Sequence, residues 1–484
     1  MTMPPDAPQR DLTDMDPEEF RRYGKEVVER IAEYLARPEA WPVLPPVRPG
    51  EVRAALPPHP PGEGEPMEAI LEDFDRLILP NTTHWNHPGF FAYFAISGSA
   101  AGVLGEALTA ALNVNAMLWR TGPAATELEE VTLDWLRQLL GLPREMMGTI
   151  NDTASTSTLY ALAAAREMWP ELRIREHGLA GRSDVPAMRV YCSEEAHSSV
   201  DKAVITLGLG LSGVRRLPTD AEYRMDVGAL ERAIAEDRAL GVRPLAVVAT
   251  VGTTSTTSVD PVREIAAVCE REALWLHVDA AYGGSAAVLP ELRWAMEGAE
   301  RADSIVVNPH KWLFVPLDCS VLYTRRPEVL RRAFSLTPEY LTTTAGDEVL
   351  NLMDYGVALG RRFRSLKLWF VLRWFGATGL QARLAEHIRL AQLFRGWVAT
   401  SADFELLAPA PFSVVVFRHH PPGMDDEAEL DRLNAALLER VNASGEVFLS
   451  HTRAKGRYAI RLAVGNIRTR EAHVRRAWEI VRGA

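Results

Sequence analysis

Cysteine is scarce in this chain. Three thiols in 484 residues, Cys192, Cys269 and Cys319, lie far apart on or beside apolar runs, with no CxxC spacing. That excludes a disulfide framework or a zinc site and points to reduced core residues of a cytosolic protein. The N-terminus, Met1-Thr2-Met3-Pro4-Pro5-Asp6, has neither a basic n-region nor an apolar h-region, so no signal peptide is expected. No uninterrupted apolar stretch approaches a membrane span. Positive charge is not in excess: 53 Lys and Arg against 64 Asp and Glu leave a formal net charge of −11. That balance argues against nucleic acid or an anionic membrane as the main partner. No internal repeat and no GxGxxG stands out. What remains is a soluble, cytoplasmic globular protein, long enough at 47% apolar composition for two or three domains.

Asp16-Pro17-Glu18-Glu19 reads as a helix start, with a capping aspartate, proline in the first turn and acids at the positive end. Phe20, Tyr23, Val27, Ile31 and Leu35 follow at helical spacing. The stretch from Pro38 to Pro66 is too rich in proline for helix or strand, and a second amphipathic helix is predicted from Met67 to Leu79. Two helices joined by such a strap need another body to pack against. From Gly98 to Gly376 helical patterns alternate with short apolar runs, the pattern of a mostly parallel α/β sheet. Thr126 reads as the cap of one helix; strands are expected at Met188–Cys192, Leu245–Val251, Leu274–Val278, Ser304–Val307 and Ser320–Tyr323. After Gly379 a long helix, a strand at Ser413–Phe417, a helix near Glu427–Val441 and strands near Val447 and Ile460 suggest a small α+β domain. The expected division is 1–97, 98–379 and 380–484.

Two strand ends carry the chemistry. Asp279 closes the run Leu274-Trp275-Leu276-His277-Val278, and Lys311 follows Ser304-Ile305-Val306-Val307 within Asn308-Pro309-His310-Lys311-Trp312. In open α/β sheets ligands sit outside the carboxyl ends of the strands, so both groups could face one crevice. A lysine there can form a Schiff base with pyridoxal phosphate, and an aspartate on the pyridine nitrogen keeps the ring an electron sink. Thr153 to Thr158 opens a helix with small and hydroxyl residues, a seat for an anion.

These segments resemble those of the pyridoxal-phosphate-dependent aromatic-L-amino-acid decarboxylases. The resemblance rests on Asn308-Pro309-His310-Lys311-Trp312 with Leu317-Asp318-Cys319-Ser320, and on His277-Val278-Asp279-Ala280-Ala281-Tyr282; it continues from about Asn81 to the C-terminus. It implies a fold type I enzyme and a homodimer with intertwined N-terminal segments. It also implies cofactor contacts from Ala154, Ser155, His197, Thr254, Asp279, Ala281, Asn308, His310 and Lys311. His197 would stack on the cofactor ring, and Tyr340, in Pro338-Glu339-Tyr340-Leu341, would donate the proton after carbon dioxide leaves. Related aldehyde synthases typically lack that tyrosine.

The substrate wall implied by the resemblance comprises Trp85, Tyr93, Phe94 and Ile96, with His197 and Gly360; Phe91 belongs to the same aromatic cluster in sequence. Ala95-Ile96 stands where the family usually has Pro-Thr, and Asn115 and Met117 replace an apolar residue and a phenylalanine. Gly360 matches the aromatic branch and leaves room for a ring as large as indole. The expected reaction is decarboxylation of an aromatic L-amino acid. The alternatives are an aldehyde synthase, a decarboxylase of a non-aromatic acid, and a non-catalytic dimeric binding homologue.

Overall fold

The computed structural model describes residues 14–336 and 349–484. Its contacts fall into two compact units, Met1–His84 and Trp85–Ala484.

In the first unit the helix Pro17–Ala36 starts as its sequence dictates: the Asp16 side chain accepts the Glu18 N–H and proline occupies the first turn. Tyr23 is buried and donates to Glu68, but Phe20, Val27 and Ile31 are exposed. The proline-rich stretch is less featureless than its composition predicts. Glu51–Ala55 is a short helix, entered through Gly50 in a left-handed conformation and free of proline. The second amphipathic segment is helical but changes winding: Met67–Asp73 is α, Phe74–Ile78 is π and Leu79–Asn81 is 3-10, where Pro80 ends it.

Among the described residues the second unit holds two sheets. The larger contains β1 (Met147–Asn151), β2 (Met188–Ser193), β3 (Val214–Leu217), β4 (Arg243–Thr250), β5 (Trp275–Asp279), β6 (Ser304–Val307) and β7 (Ser320–Thr324), in the order β1-β7-β6-β5-β4-β2-β3. β7 is antiparallel to both neighbours and the other pairings are parallel. The smaller sheet contains β8 (Phe404–Leu406), β9 (Val414–His419), β10 (Ser450–Ala454) and β11 (Arg457–Ala463), antiparallel throughout in the order β10-β11-β9-β8. The five predicted strands of the larger sheet are present; β1 and β3 carry too little apolar pattern to announce themselves.

Thr126 is not a cap. The helix runs Pro123–Leu140 from Gly122, with Pro123 supplying the first-turn signal, and Thr126 is buried within it. The helix Ser365–Thr400 is continuous apart from a kink at Gly376, whose φ of 62° is open to glycine. It therefore crosses residue 379. Phe91 is also reassigned: it is fully buried with Phe394, Phe417 and Leu462 in the core of the smaller sheet.

Burial sets a pH dependence of stability. Desolvation pushes the imidazoles of His277 and His387 down to about 4, whereas in the unfolded chain they titrate near 6.5. Between those values the unfolded chain binds more protons, so stability is lost as pH falls. Asp260, pushed up to about 6 by burial, acts in the opposite sense below pH 6 and offsets one histidine. The melting temperature is expected to fall from pH 7 to pH 5, each histidine contributing ~1.4 kcal/mol per pH unit inside its window. Thermal denaturation against pH checks this, and His277→Gln should flatten the slope; an unchanged slope would contradict it.

Candidate active site

The carboxyl ends of β1, β2, β4, β5 and β6 lie along one edge of the larger sheet. Asn151 pairs with Ser320 at the start of antiparallel β7, Thr250 with Asp279, and Asp279 with Val306. The turns leaving this edge carry the residues singled out in the sequence: Ala154 and Ser155 after β1, His197 after β2, Thr254 after β4, and Asn308 to Lys311 after β6. Asp279 is the last residue of β5.

Lys311 lies in the helical turn Pro309–Trp312, and both its neighbours are fixed. His310 Nδ1 accepts the Cys319 N–H at 2.8 Å. Trp312 is fully buried, stacks on Tyr282 at 4.7 Å and donates from Nε1 to His387 Nδ1 at 3.1 Å. The lysine is therefore aimed by packing on either side. Its pKa is lowered by burial, against the pull of Asp279, with the Arg461 charge adding to the lowering. A lysine held this way gives up its proton more readily than a solvated one, as carbonyl chemistry requires.

Asp279 is buried and its Oδ1 accepts the Ala281 N–H at 3.1 Å. Ala281 in turn receives the Asn308 N–H at 3.1 Å, which ties the aspartate turn to the lysine turn. The backbone is close here: a Cβ on Gly283 would lie 2.5 Å from the Val251 carbonyl oxygen, so the turn accepts only glycine at this point.

His197 is exposed at the rim, with Nδ1 accepting the Ser199 N–H at 3.1 Å. Its pKa is lowered by desolvation, raised by Asp279 and lowered again by Lys311, so its ring senses both. Thr254 is exposed in the turn after β4.

The helix Ala154–Arg166 begins without a side-chain cap. Its first intrahelical bond is Ser157 N–H to Thr153 O at 3.1 Å, which leaves the N–H groups of Ala154, Ser155 and Thr156 to an external acceptor. The helix is pinned to the sheet by Ser157, which bonds Asn151 at 3.1 Å and Ser320 at 3.0 Å.

Of the aromatic wall, Phe94 stacks on Tyr282 at 3.8 Å and lies under Lys311 Nζ at 5.3 Å. Trp85 stacks on Tyr93 at 6.0 Å, and Phe448 meets Tyr93 edge-on at 5.9 Å. Tyr93 is held in a left-handed conformation, φ 52°, with its N–H on Ser450 Oγ at 3.2 Å. Ile96 is half-buried. Gly360 is exposed, and among the described residues a Cβ there would meet only Asn115 Nδ2, at 3.8 Å, which places it by Asn115 rather than in the Lys311 cluster. Tyr340 lies outside the described residues.

Sequence reasoning missed Arg461. It stands on β11, is 3% exposed, and places Cζ 4.7 Å over the same Phe94 ring that Lys311 covers. The available signal was an arginine inside the apolar run Tyr458-Ala459-Ile460-Arg461-Leu462-Ala463. Tyr282 and Trp312, quoted in the motifs but given no role, form the stacked floor under Phe94. A cavity of about 470 Å³ is lined by His387, Phe375, Arg383 and Arg470, not by Lys311. The reactive groups instead border the open edge of the sheet.

The donor set fits pyridoxal phosphate. Three uncapped helix N–H groups suit a phosphate, and the buried Asn308 Oδ1 has no hydrogen-bond partner among the described residues, so its amide is free to turn and present N–H to a ligand. With Nδ1 engaged as an acceptor, His310 presents Nε2–H, and burial pushes its pKa down to about 3, so it is neutral. The half-buried Lys311 and the buried Asp279 complete the set.

Comparison with known proteins agrees with this chemistry. Residues 49–420 match the pyridoxal-dependent decarboxylase conserved domain. The chain is 40% identical to tyrosine decarboxylase 4 of Petroselinum crispum and 40% identical to phenylacetaldehyde synthase of Petunia hybrida, each over 97% of this chain and 94% of the relative. The crystal structure of Oryza sativa TDC with PLP and tryptamine superposes with a TM-score of 0.93 at 37% identity, covering 98% of both chains. The chain therefore belongs to the pyridoxal-dependent decarboxylase family.

Proposed function

We propose that this protein decarboxylates an aromatic L-amino acid, of the tryptophan, phenylalanine, tyrosine or DOPA type, to its amine and carbon dioxide. The observation that carries the reading is the half-buried Lys311, with the Asp279 charge acting on it and Phe94 beneath it. Pyridoxal phosphate, when bound, supplies the sink for the electron pair released as the Cα–carboxylate bond breaks. Lys311 holds the cofactor, and Asp279 keeps its ring nitrogen protonated. Ala154 and Ser155 N–H, Asn308 and His310 take the phosphate, while Ala281 and Thr254 border it. His197 covers one ring face. Trp85, Tyr93, Phe94 and Ile96 form the wall for the aromatic side chain. Tyr340 returns a proton to Cα.

A second copy of the chain is part of this reading. Leu104, Leu108 and Leu112 are exposed at 57%, 49% and 59%, one apolar stripe at successive turns of the helix Ala100–Leu112. Phe20, Val27 and Ile31 are exposed on the helix Pro17–Ala36, and each stripe is the kind of face that homodimers cover. We retain the division into 1–97, 98–379 and 380–484, supported by the two sheets falling on either side of 379. No described helix is long and apolar enough to cross a membrane. Three separate buried thiols suit a reducing cytoplasm.

Aldehyde synthesis is the second reading, favoured by the 40% identity to a phenylacetaldehyde synthase. The holoenzyme should be assayed across the common amino acids for amine, carbon dioxide, aldehyde and peroxide. Amine without peroxide from one aromatic acid is the expected result. Aldehyde with peroxide would establish the second reading, and no product from any amino acid would leave a binding homologue.

A further inference from the structure

The cavity of about 470 Å³ beside His387 carries an excess of positive charge. Arg383, Arg468 and Arg470 line it, and the acid among its lining residues, Glu386, is already held by the Arg389 fork at 2.7 and 2.9 Å. Arg383 Nη1 donates to the Gly379 carbonyl at 2.8 Å, and its Cζ lies 4.1 Å over the Phe375 ring. Arg470 Nη1 donates to the carbonyls of Ile467 and Thr469, at 3.2 and 3.0 Å. All these acceptors are neutral. Desolvation and then the Arg470 charge lower the Arg383 pKa, with no carboxylate raising it. Other arginines of the fold differ: Arg361 pairs with Glu129 at 2.8 Å, and Arg418 pairs with Glu405 and Glu427.

The backbone adds to the field. The helices Ala100–Leu112 and Glu471–Gly483 open at this cavity, through Ala100 and the cap residue Arg470, so two positive helix ends adjoin it. The remaining walls are apolar. Trp374, 74% exposed, and Phe375 stand just before the kink at Gly376, and Ala100 and Ile467 complete the lining. A ligand with an anionic head and an aromatic body relieves both the repulsion between the arginines and the exposure of the indole. The volume lies within the range of small-molecule sites.

We propose that this cavity binds an aromatic carboxylate that carries no amine, with its carboxylate at Arg383 and Arg470 and its ring against Trp374 and Phe375. The planar fork of arginine suits a carboxylate, whereas inorganic phosphate brings charge but nothing for the apolar walls. An aromatic amino acid or its amine would set an ammonium among three arginines and is disfavoured. The cavity is separate from the crevice at Lys311, which does not line it, and the assignment does not depend on the decarboxylase reading.

The test is equilibrium dialysis of 2-naphthoate against holoenzyme whose cofactor crevice has been filled with a 2-hydrazino-3-arylpropionate, so that binding beside Lys311 is not counted. One naphthoate per chain is expected. In Arg383→Gln its Kd should rise by about 10- to 100-fold, the effect of losing one charged hydrogen bond. Arg470→Gln should raise it as well, and because that side chain is exposed this variant keeps the test open if Arg383→Gln does not fold. Trp374→Ala should weaken binding by about 2- to 10-fold, the loss of one aromatic contact. Naphthalene-2-carboxamide, of the same shape without the charge, should bind at least about tenfold more weakly than the acid, and inorganic phosphate should not displace the acid. Cofactor absorbance of both arginine variants should match that of the unaltered enzyme. A change in that absorbance parallel to the loss of binding would put the naphthoate in the crevice at Lys311 and overturn the assignment. So would absence of bound naphthoate, a Kd unchanged in both arginine variants, an amide bound as tightly as the acid, or displacement by phosphate.

Discussion

Replacing Lys311 by alanine is expected to abolish amine formation, lowering kcat by roughly 10⁴-fold or more, as removal of a covalent catalyst commonly does. The fold should survive the change. The turn Pro309–Trp312 is held by the His310–Cys319 bond and by Trp312, which is stacked on Tyr282 and bonded to His387; none of these uses the lysine side chain. Truncation removes a half-buried amine whose charged form is disfavoured by desolvation, and leaves a polar crevice behind, so the melting temperature should change little. Steady-state amine release, cofactor absorbance and thermal denaturation read the three outcomes separately. A variant that still binds cofactor covalently and retains more than about one part in a hundred of the activity would remove Lys311 from the centre of the site.

Lys311 and Asp279 were legible in the sequence because each comes just after a short, continuous apolar run. Strands buried on both faces leave such a run whatever surrounds them, and the residues past its carboxyl end lie at the ligand-binding edge. The helix at Ala154 was legible for a different local reason, the small and hydroxyl residues from Thr153 to Thr158 that open it. Arg461 was not. It stands 150 residues beyond Lys311 and in an alternating strand, where an arginine among apolar neighbours reads as the outward face. Only the pairing of β11 with β9, whose Val416 lies opposite Arg461, turns it inward against Phe94. Phe91 and Phe94 show the same limit at shorter range: three residues apart, they enter two different cores, and the left-handed turn at Tyr93 between them is invisible in composition. The helix at Glu51–Ala55 was hidden by averaging over a proline-rich stretch that happens to leave those five residues free of proline. Thr126 was misread because a threonine with acids after it imitates a cap, while Gly122-Pro123 marks the actual start.

Asp279→Asn is the more discriminating substitution, since it preserves shape and removes only charge. The amide can still accept the Ala281 N–H that Asp279 Oδ1 takes at 3.1 Å, so the turn should persist. On the proposed function, what is lost is the anion that would keep the cofactor ring nitrogen protonated, and kcat should fall by about 10²- to 10³-fold, the scale of removing one preorganised electrostatic contact. Asp279→Glu should recover part of the rate if charge matters more than placement. The same substitution makes a signed prediction about pH. The Asp279 charge raises the pKa of His197 and of Lys311. Without it both groups lose protons more readily, so each pKa falls. If His197 must be neutral to lie over the ring, the acidic limb of the pH–rate profile follows its pKa and should move to lower pH in Asp279→Asn. A limb that stayed in place while kcat fell would confine Asp279 to the cofactor. A basic limb that moved to lower pH, with the acidic limb in place, would mean instead that the histidine works in its protonated form.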